Sequence, residues 1–329
     1  MFVKLAITSL LDRKGSIGLT IFAMSVSIFI ILGVEHIRYQ SKESFSSSLS
    51  GVDLVVGSKT SDLNLLLYSV FRIGDPVNNI SWKSFEKISK HPKVKWTIPI
   101  SLGDSHRGYP VLGTTENYFR YFRYDKDKRL VLKNGQLFKG LFDVVIGCEI
   151  ARKFDYKIGD SVIFSHGMAN SSFTLHKEKP FKIIGILEIT GTPVDRTLHV
   201  KLEAIEAIHS QSVNLDKSNR FNDLAGKSNQ QDLTPGNITA FMVGLKSKIS
   251  TFQMRREINN YQMEPLLAII PGVVLIELWQ MMETVTISLF AVSVLVFVST
   301  CFGVSAILLS SISQRGTEIH LLRVIGAPK

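Results

Sequence analysis

Cysteine is almost absent from this chain, with two in 329 residues. Cys148 lies in a polar stretch and Cys301 inside a long uncharged run that reads below as a membrane span. They are too far apart in depth to bridge, so neither a disulfide framework nor a Cys/His zinc spacing can be assembled. The signatures of common catalysts are missing too: there is no Gly-x-Ser-x-Gly elbow and no His-Glu-x-x-His pair. Val56-Gly57-Ser58-Lys59-Thr60 resembles the end of a phosphate loop but lacks the Gly directly before Lys and the spaced upstream Gly. The chain therefore does not bind ATP in that way. Asp104 and His106 would share a strand face, and His166, His176, His199 and His209 are scattered, but none has the spacing of metal ligands. They read as surface or satisfied side chains, and neither catalytic nor metal-binding residues are expected.

Charge is missing from two long stretches. Hydrophobic residues make up 45% of the chain and charged residues 20%, with a net charge of 38 − 28 = +10, an unusual balance for a soluble basic domain. Residues 15–34 contain no charge, and these 20 residues at about 1.5 Å each span a hydrocarbon core of ~30 Å. Another 31 uncharged residues, 284–314, are too many for a buried core helix. A cleaved signal peptide is the alternative for the first run, since Lys4, Arg13 and Lys14 precede it. No small-x-small site follows Val34, however, and the run exceeds the usual core of about 7–15 residues. The expectation is transmembrane helix 1 over 15–34 and transmembrane helix 2 over 284–312.

Lysine and arginine orient the two spans. Arg315, Arg323 and Lys329 follow the second, while residues 265–283 before it contain neither type, which makes the termini cytoplasmic. The 249 residues 35–283 are then extracytoplasmic, with 32 basic and 26 acidic side chains spread thinly along them. Nucleic acid is excluded as a partner because the basic residues neither cluster nor interleave with aromatics.

Phe2, Leu5, Ala6 and Leu10 lie opposite Lys4, Asp12 and Arg13, so residues 1–14 read as an amphipathic cytoplasmic elbow helix on the membrane surface. Residues 35–49 extend the first helix outward until Gly51 breaks it, and 63–73 form a dense apolar run. Strand-like segments at 52–56, 96–100, 111–113, 144–146, 161–164, 181–187, 198–200, 238–245 and 266–270 alternate with helical ones at 82–89, 149–154 and 251–261. This describes a mixed α+β extracytoplasmic domain of one or two subdomains, with a flexible loop at 211–236 rich in Ser, Asn, Gln and Asp. Pro271 and Gly272 start a stalk helix that carries Ile276, Trp279 and Gln280 straight into the second span. Within that span, Ser299, Gly303 and Ala306 are small residues suited to close packing against further spans.

The most specific segment is Gln314-Arg315-Gly316-Thr317-Glu318-Ile319-His320-Leu321-Leu322-Arg323-Val324-Ile325-Gly326-Ala327. Leu321, Leu322 and Ile325 supply a short apolar ridge, Arg315 and Glu318 can pair at i, i+3, and Gly326 ends the helix. A basic juxtamembrane anchor is the plain reading. The segment also resembles the element after the second span of FtsX-like permeases, the MacB-type branch of ABC transporters, in its Arg-x-x-Glu-Ile-x-x-Leu-Arg-x-Ile-Gly-Ala pattern. Gly51-Val52-Asp53-Leu54-Val55-Val56-Gly57, Val145-Ile146-Gly147-Cys148-Glu149-Ile150-Ala151, Lys157 to Val162 and Gly191-Thr192-Pro193-Val194-Asp195 are similar to further stretches of that family. His320 and Gly316 depart from its pattern.

The resemblance implies two transmembrane α-helices flanking a MacB-like periplasmic domain of two subdomains, in a multi-pass protein of the bacterial inner (plasma) membrane. It also implies a cytoplasmic coupling helix over 313–329, with Arg315, Glu318, Ile319, Leu321, Leu322, Arg323, Gly326 and Ala327 facing the ATPase. The implied partners are a cytoplasmic ABC ATPase dimer, a second permease copy or paralogue, membrane lipid, and a periplasmic or outer-membrane protein. The chain itself would be no enzyme and bind no cofactor directly, ATP and Mg being held by the ATPase. Family members continue into a third and fourth span, so a sequence ending at Lys329 is expected to be a fragment. A two-span receptor or a regulator of a cell-wall enzyme is the alternative function.

Overall fold

The computed structural model describes residues 14–166, 179–212 and 234–324. It divides into two compact units, Met1–Lys42 with Trp279–Lys329, and Glu43–Leu278.

The first unit consists of parts of two long helices, Lys14–Ser47 and Pro271–Val324. Each contains a stretch long and apolar enough to cross a membrane, Ile21–Gln40 and Pro271–Ala306. Phe22, Phe29 and Leu32 on the first, and Val285, Ile287, Leu295 and Phe302 on the second, point outward and are exposed, as lipid-facing side chains do. Several hydroxyls in the second stretch are satisfied by the helix backbone. Thr286, Ser288, Ser293, Thr300 and Ser305 each donate to the carbonyl four residues back. Between the helices, Ser27 Oγ lies 3.1 Å from Thr300 Oγ1, and Ser27 and Ser293 are buried.

The second unit is built on two sheets. The first is antiparallel, in the order Leu266–Ile269, Leu54–Ser58, Ala240–Leu245, Val94–Ile100. Its outermost pairing matches Val55 with Ile269 and Ser58 with Leu266, so the strand that follows the first long helix runs beside the strand that precedes the last. Helices Trp82–Ser89 and Thr251–Asn259 cover one face through Phe85, Ile88, Met254 and Ile258. The second sheet is mixed. Phe181–Leu187 pairs parallel with Asp143–Ile146, and Leu198–Lys201 pairs parallel with Tyr109–Thr114. Helices Cys148–Phe154 and Leu202–Ser212 contribute Ile150, Ala204, Ile205 and Ile208 to the core on this sheet.

A shared core joins the sheets: Val55, Ile98 and Met242 of the first lie in one cluster with Leu112, Val145 and Ile184 of the second. A bridge between Ser101 and Gly113 and the bond from Thr114 Oγ1 to the Pro99 carbonyl tie them directly. The apolar run at 63–73 supplies Leu65, Leu66, Tyr68, Val70 and Phe71 to this core, first as helix Asp62–Leu66 and then as a π-turn, Leu67–Phe71. Gly57, in the segment that resembles a phosphate loop, lies in a buried strand. A Cβ there would come within 2.6 Å of Leu65 and 2.8 Å of Tyr68, so the space a nucleotide would need is filled with core.

The loop expected at 211–236 begins too early, because Gln211 and Ser212 complete helix Leu202–Ser212. That helix went unread although Leu202, Ile205 and Ile208 recur every three residues on its buried side. Residues 213–233, and 1–13 of the elbow expected over 1–14, lie outside the described residues.

Candidate functional site

The chain folds so that two of the singled-out segments meet. Helix Cys148–Phe154 starts at Gly147, where a Cβ would stand 2.3 Å from the Asp195 carbonyl oxygen, so only glycine lets the two backbones approach this closely. Asp195 closes the neighbouring loop on itself. Its carboxylate accepts from Thr190 N at 2.8 Å, Gly191 N at 2.8 Å and Thr190 Oγ1 at 2.8 Å. Burial, and secondarily this carboxylate, pushes the Cys148 thiol up to about 11, which keeps it protonated.

Beside this junction lies a cavity of about 640 Å³, lined by residues far apart in sequence, among them Arg72, Tyr109, Glu149, Ile189, Asp195 and Arg196. Its size suits a small-molecule site. Arg72 ends the π-turn in a left-handed conformation, φ 60°, its backbone N–H bonded to the Leu67 carbonyl. That geometry turns a cationic residue back among the apolar side chains. Arg72 is 8% exposed, and its guanidinium donates to the Ser69 carbonyl and stands against Tyr118. Burial lowers the arginine's pKa and raises that of the Tyr118 phenol, and each group opposes the other's shift. Among the described residues no carboxylate is in ion-pair contact with Arg72. At the rim, Arg196 lies over the Tyr109 ring and pairs with Glu149 at 3.4 Å.

Two histidines are buried in the same domain. His106 donates from Nδ1 to the Ile163 carbonyl at 2.7 Å and accepts at Nε2 from the Tyr156 hydroxyl at 2.8 Å, so it is neutral and satisfied. His199 donates from Nδ1 to the Val145 carbonyl at 3.3 Å while its buried Nε2 has no partner. Burial, and secondarily Arg72, drives its pKa down to about 3. Among the described residues no three His, Cys, Asp or Glu side chains converge to hold a metal.

The residues proposed from sequence lie elsewhere. Arg315, Glu318, Ile319, Leu321, Leu322 and Arg323 fall in the helical backbone of Pro271–Val324, and Gly326 and Ala327 lie outside the described residues. In the stalk, Ile276 and Gln280 are exposed and Trp279 half-buried; Val274 and Leu275 are the ones packed on the outer core. Ser299, Gly303 and Ala306 are exposed. The cavity was not foreseen. Its signals were a single arginine inside the apolar run 63–73 and the two segments around Gly147 and Asp195.

Comparison with known proteins follows this architecture. The family model "MacB-like periplasmic core domain" matches residues 17–261. No curated protein matches. Among solved structures, the periplasmic region of MacB from Actinobacillus actinomycetemcomitans is similar at 12% identity and a TM-score of 0.41, covering 71% of this chain and 94% of that one. The extracellular domain of the noncanonic ABC-type transporter YknZ from Gram-positive bacteria is similar at 13% identity and a TM-score of 0.36, covering 66% and 98%. The family match extends over most of the 329 residues, and with two helices of membrane-crossing length beside the mixed domain, the chain belongs to the MacB-like periplasmic core domain family of FtsX/MacB-type ABC transporter permeases.

Proposed function

We propose that this chain is the transmembrane permease subunit of a MacB/FtsX-type transporter. It passes the ATP-driven motion of a partner ATPase to the periplasmic domain, which moves or releases envelope cargo such as a lipoprotein or peptide. Permeases of this type work with cytoplasmic ABC ATPases, which hold and hydrolyse the nucleotide; this chain makes and breaks no bonds. The observation that supports the reading most is the unbroken helix Pro271–Val324. One element thus joins Val274 and Leu275, packed on the outer core, to the segment from Arg315 to Arg323.

In this reading that segment docks on the ATPase, Leu322 and Ile319 filling a groove and Glu318 and Arg323 setting the register. Ser299, Gly303 and Ala306 receive further spans or a second permease copy. The test is co-purification of a co-expressed MacB-like ABC ATPase. Glu318→Lys together with Leu322→Asp is expected to abolish it in a chain that still inserts in the membrane, and retention of the ATPase overturns the assignment.

A further inference from the structure

We propose that the outer-domain cavity binds an amphiphile with one anionic head, Arg72 and Arg196 holding the head and Ile73 and Ile189 covering the start of the tail. The proposal deepens the function above and rests on it only in taking the periplasmic domain as the working end. Three observations carry it.

The first is charge. A guanidinium in the interior normally faces a carboxylate, and Arg72, 8% exposed, has none in ion-pair contact among the described residues. Its partners are a carbonyl and a phenol, both neutral, so the fold leaves this cavity-lining arginine without a charge-assisted partner, which an anion reaching it from the cavity would supply. The two acidic residues of the lining do not fill that role. Asp195 is turned into its own loop by three donors, and Glu149 is paired with Arg196.

The second is the rim. Arg196 and Glu149 form an exposed pair, their side chains 63% and 37% accessible, and a pair of that kind contributes little. Arg196 can therefore exchange Glu149 for an incoming anion at small cost while it stays over Tyr109.

The third is apolar surface beside the cations. Ile73 is 51% exposed and Ile189 72%, and both line the cavity. A free inorganic anion would leave these side chains in water, and a neutral apolar ligand would leave Arg72 uncompensated. Only a molecule that carries both parts satisfies both.

The experiment is titration calorimetry of the full chain in discs of neutral phosphatidylcholine, corrected with empty discs, using hexyl phosphate, inorganic phosphate and hexanol. Hexyl phosphate is expected to bind saturably, one per chain, at least tenfold more tightly than inorganic phosphate, and hexanol to show no saturable binding. Ile73→Ser with Ile189→Ser, both at exposed positions, should bring hexyl phosphate to the level of inorganic phosphate. Arg72→Gln should remove binding, and Arg196→Gln should weaken it, so the head group stays testable if the buried variant does not fold. Equal binding of hexyl and inorganic phosphate assigns the cavity to a free anion and overturns the proposal. So do saturable hexanol binding, absence of saturable binding, or unchanged affinity in the isoleucine variant. Glu318→Lys with Leu322→Asp should leave hexyl phosphate binding intact, which separates failure of this proposal from failure of ATPase coupling.

Discussion

His199 lies in the interior of the periplasmic domain with its ring against Tyr118 and Phe119, and its low pKa couples folding to pH. An unfolded chain protonates this histidine near 6.5, whereas the folded one holds off until about 3. Stability is thus fully present above 6.5 and is lost as pH falls toward 3. His106 is shifted in the same direction. Thermal unfolding between pH 7 and 4 should show the midpoint falling with acid, and His199→Leu should flatten that fall; parallel slopes would refute the linkage. Gly147 makes a second prediction at this scale. Gly147→Ala forces a methyl against the Asp195 carbonyl and should cost roughly 1–3 kcal/mol, read as a shifted urea midpoint. The glycine stands out in the sequence only as part of a pattern. Its reason, a backbone 190 to 196 residues into the chain pressed against it, is set by long-range folding and invisible locally.

Elements were legible where a short apolar run, or one apolar face, is bounded by polar residues. The run 181–187 was read with its bounds as found, and 82–89 likewise, because Phe85 and Ile88 mark one side of a short helix. Strand partners were not legible, since parallel pairs such as Leu198–Lys201 with Tyr109–Thr114 join segments some ninety residues apart. The cavity was hidden for the same reason: Arg72, Tyr109 and Arg196 meet only after the second sheet has formed. The loop closed by Asp195 is an element in its own right, held by one carboxylate with three donors. Asp195→Asn puts an NH₂ toward some of those N–H groups and should destabilise the domain by about 1–3 kcal/mol in the same urea assay. In the helix pair, Ser27 and Thr300 share a hydrogen bond at 3.1 Å. Ser27→Ala with Thr300→Val in a double-mutant cycle should give a coupling of about 0.6 kcal/mol, the usual size for such bonds within a bilayer.

For the whole molecule, the two uncharged runs and the polar stretch between them were readable from composition alone, because lipid and water impose opposite patterns on a chain. The mechanical question is whether helix Pro271–Val324 acts as one piece. Gln280→Pro removes a backbone bond at an exposed position and should break the helix, at a cost of about 3 kcal/mol, without touching the segment from Arg315 to Arg323. With a fluorophore at Ile249→Cys, a position 91% exposed, in a Cys148→Ser, Cys301→Ser background, ATP should change the signal in the otherwise unaltered chain. In the proline variant the ATPase should still co-purify while the signal no longer responds; a preserved response would show that the helix is not the link. The register of the first sheet sets what load such a link can bear. Leu54–Ser58 and Leu266–Ile269 are neighbours, and the chain enters one and leaves the other at the same end. If the two attachments are raised together, the ladder between them carries no force. If they are drawn apart sideways, its hydrogen bonds open one after another from that end, the weakest way to load paired strands. The pairing of Leu54–Ser58 with Leu266–Ile269 would therefore withstand a pull shared by both attachments better than one that splays them.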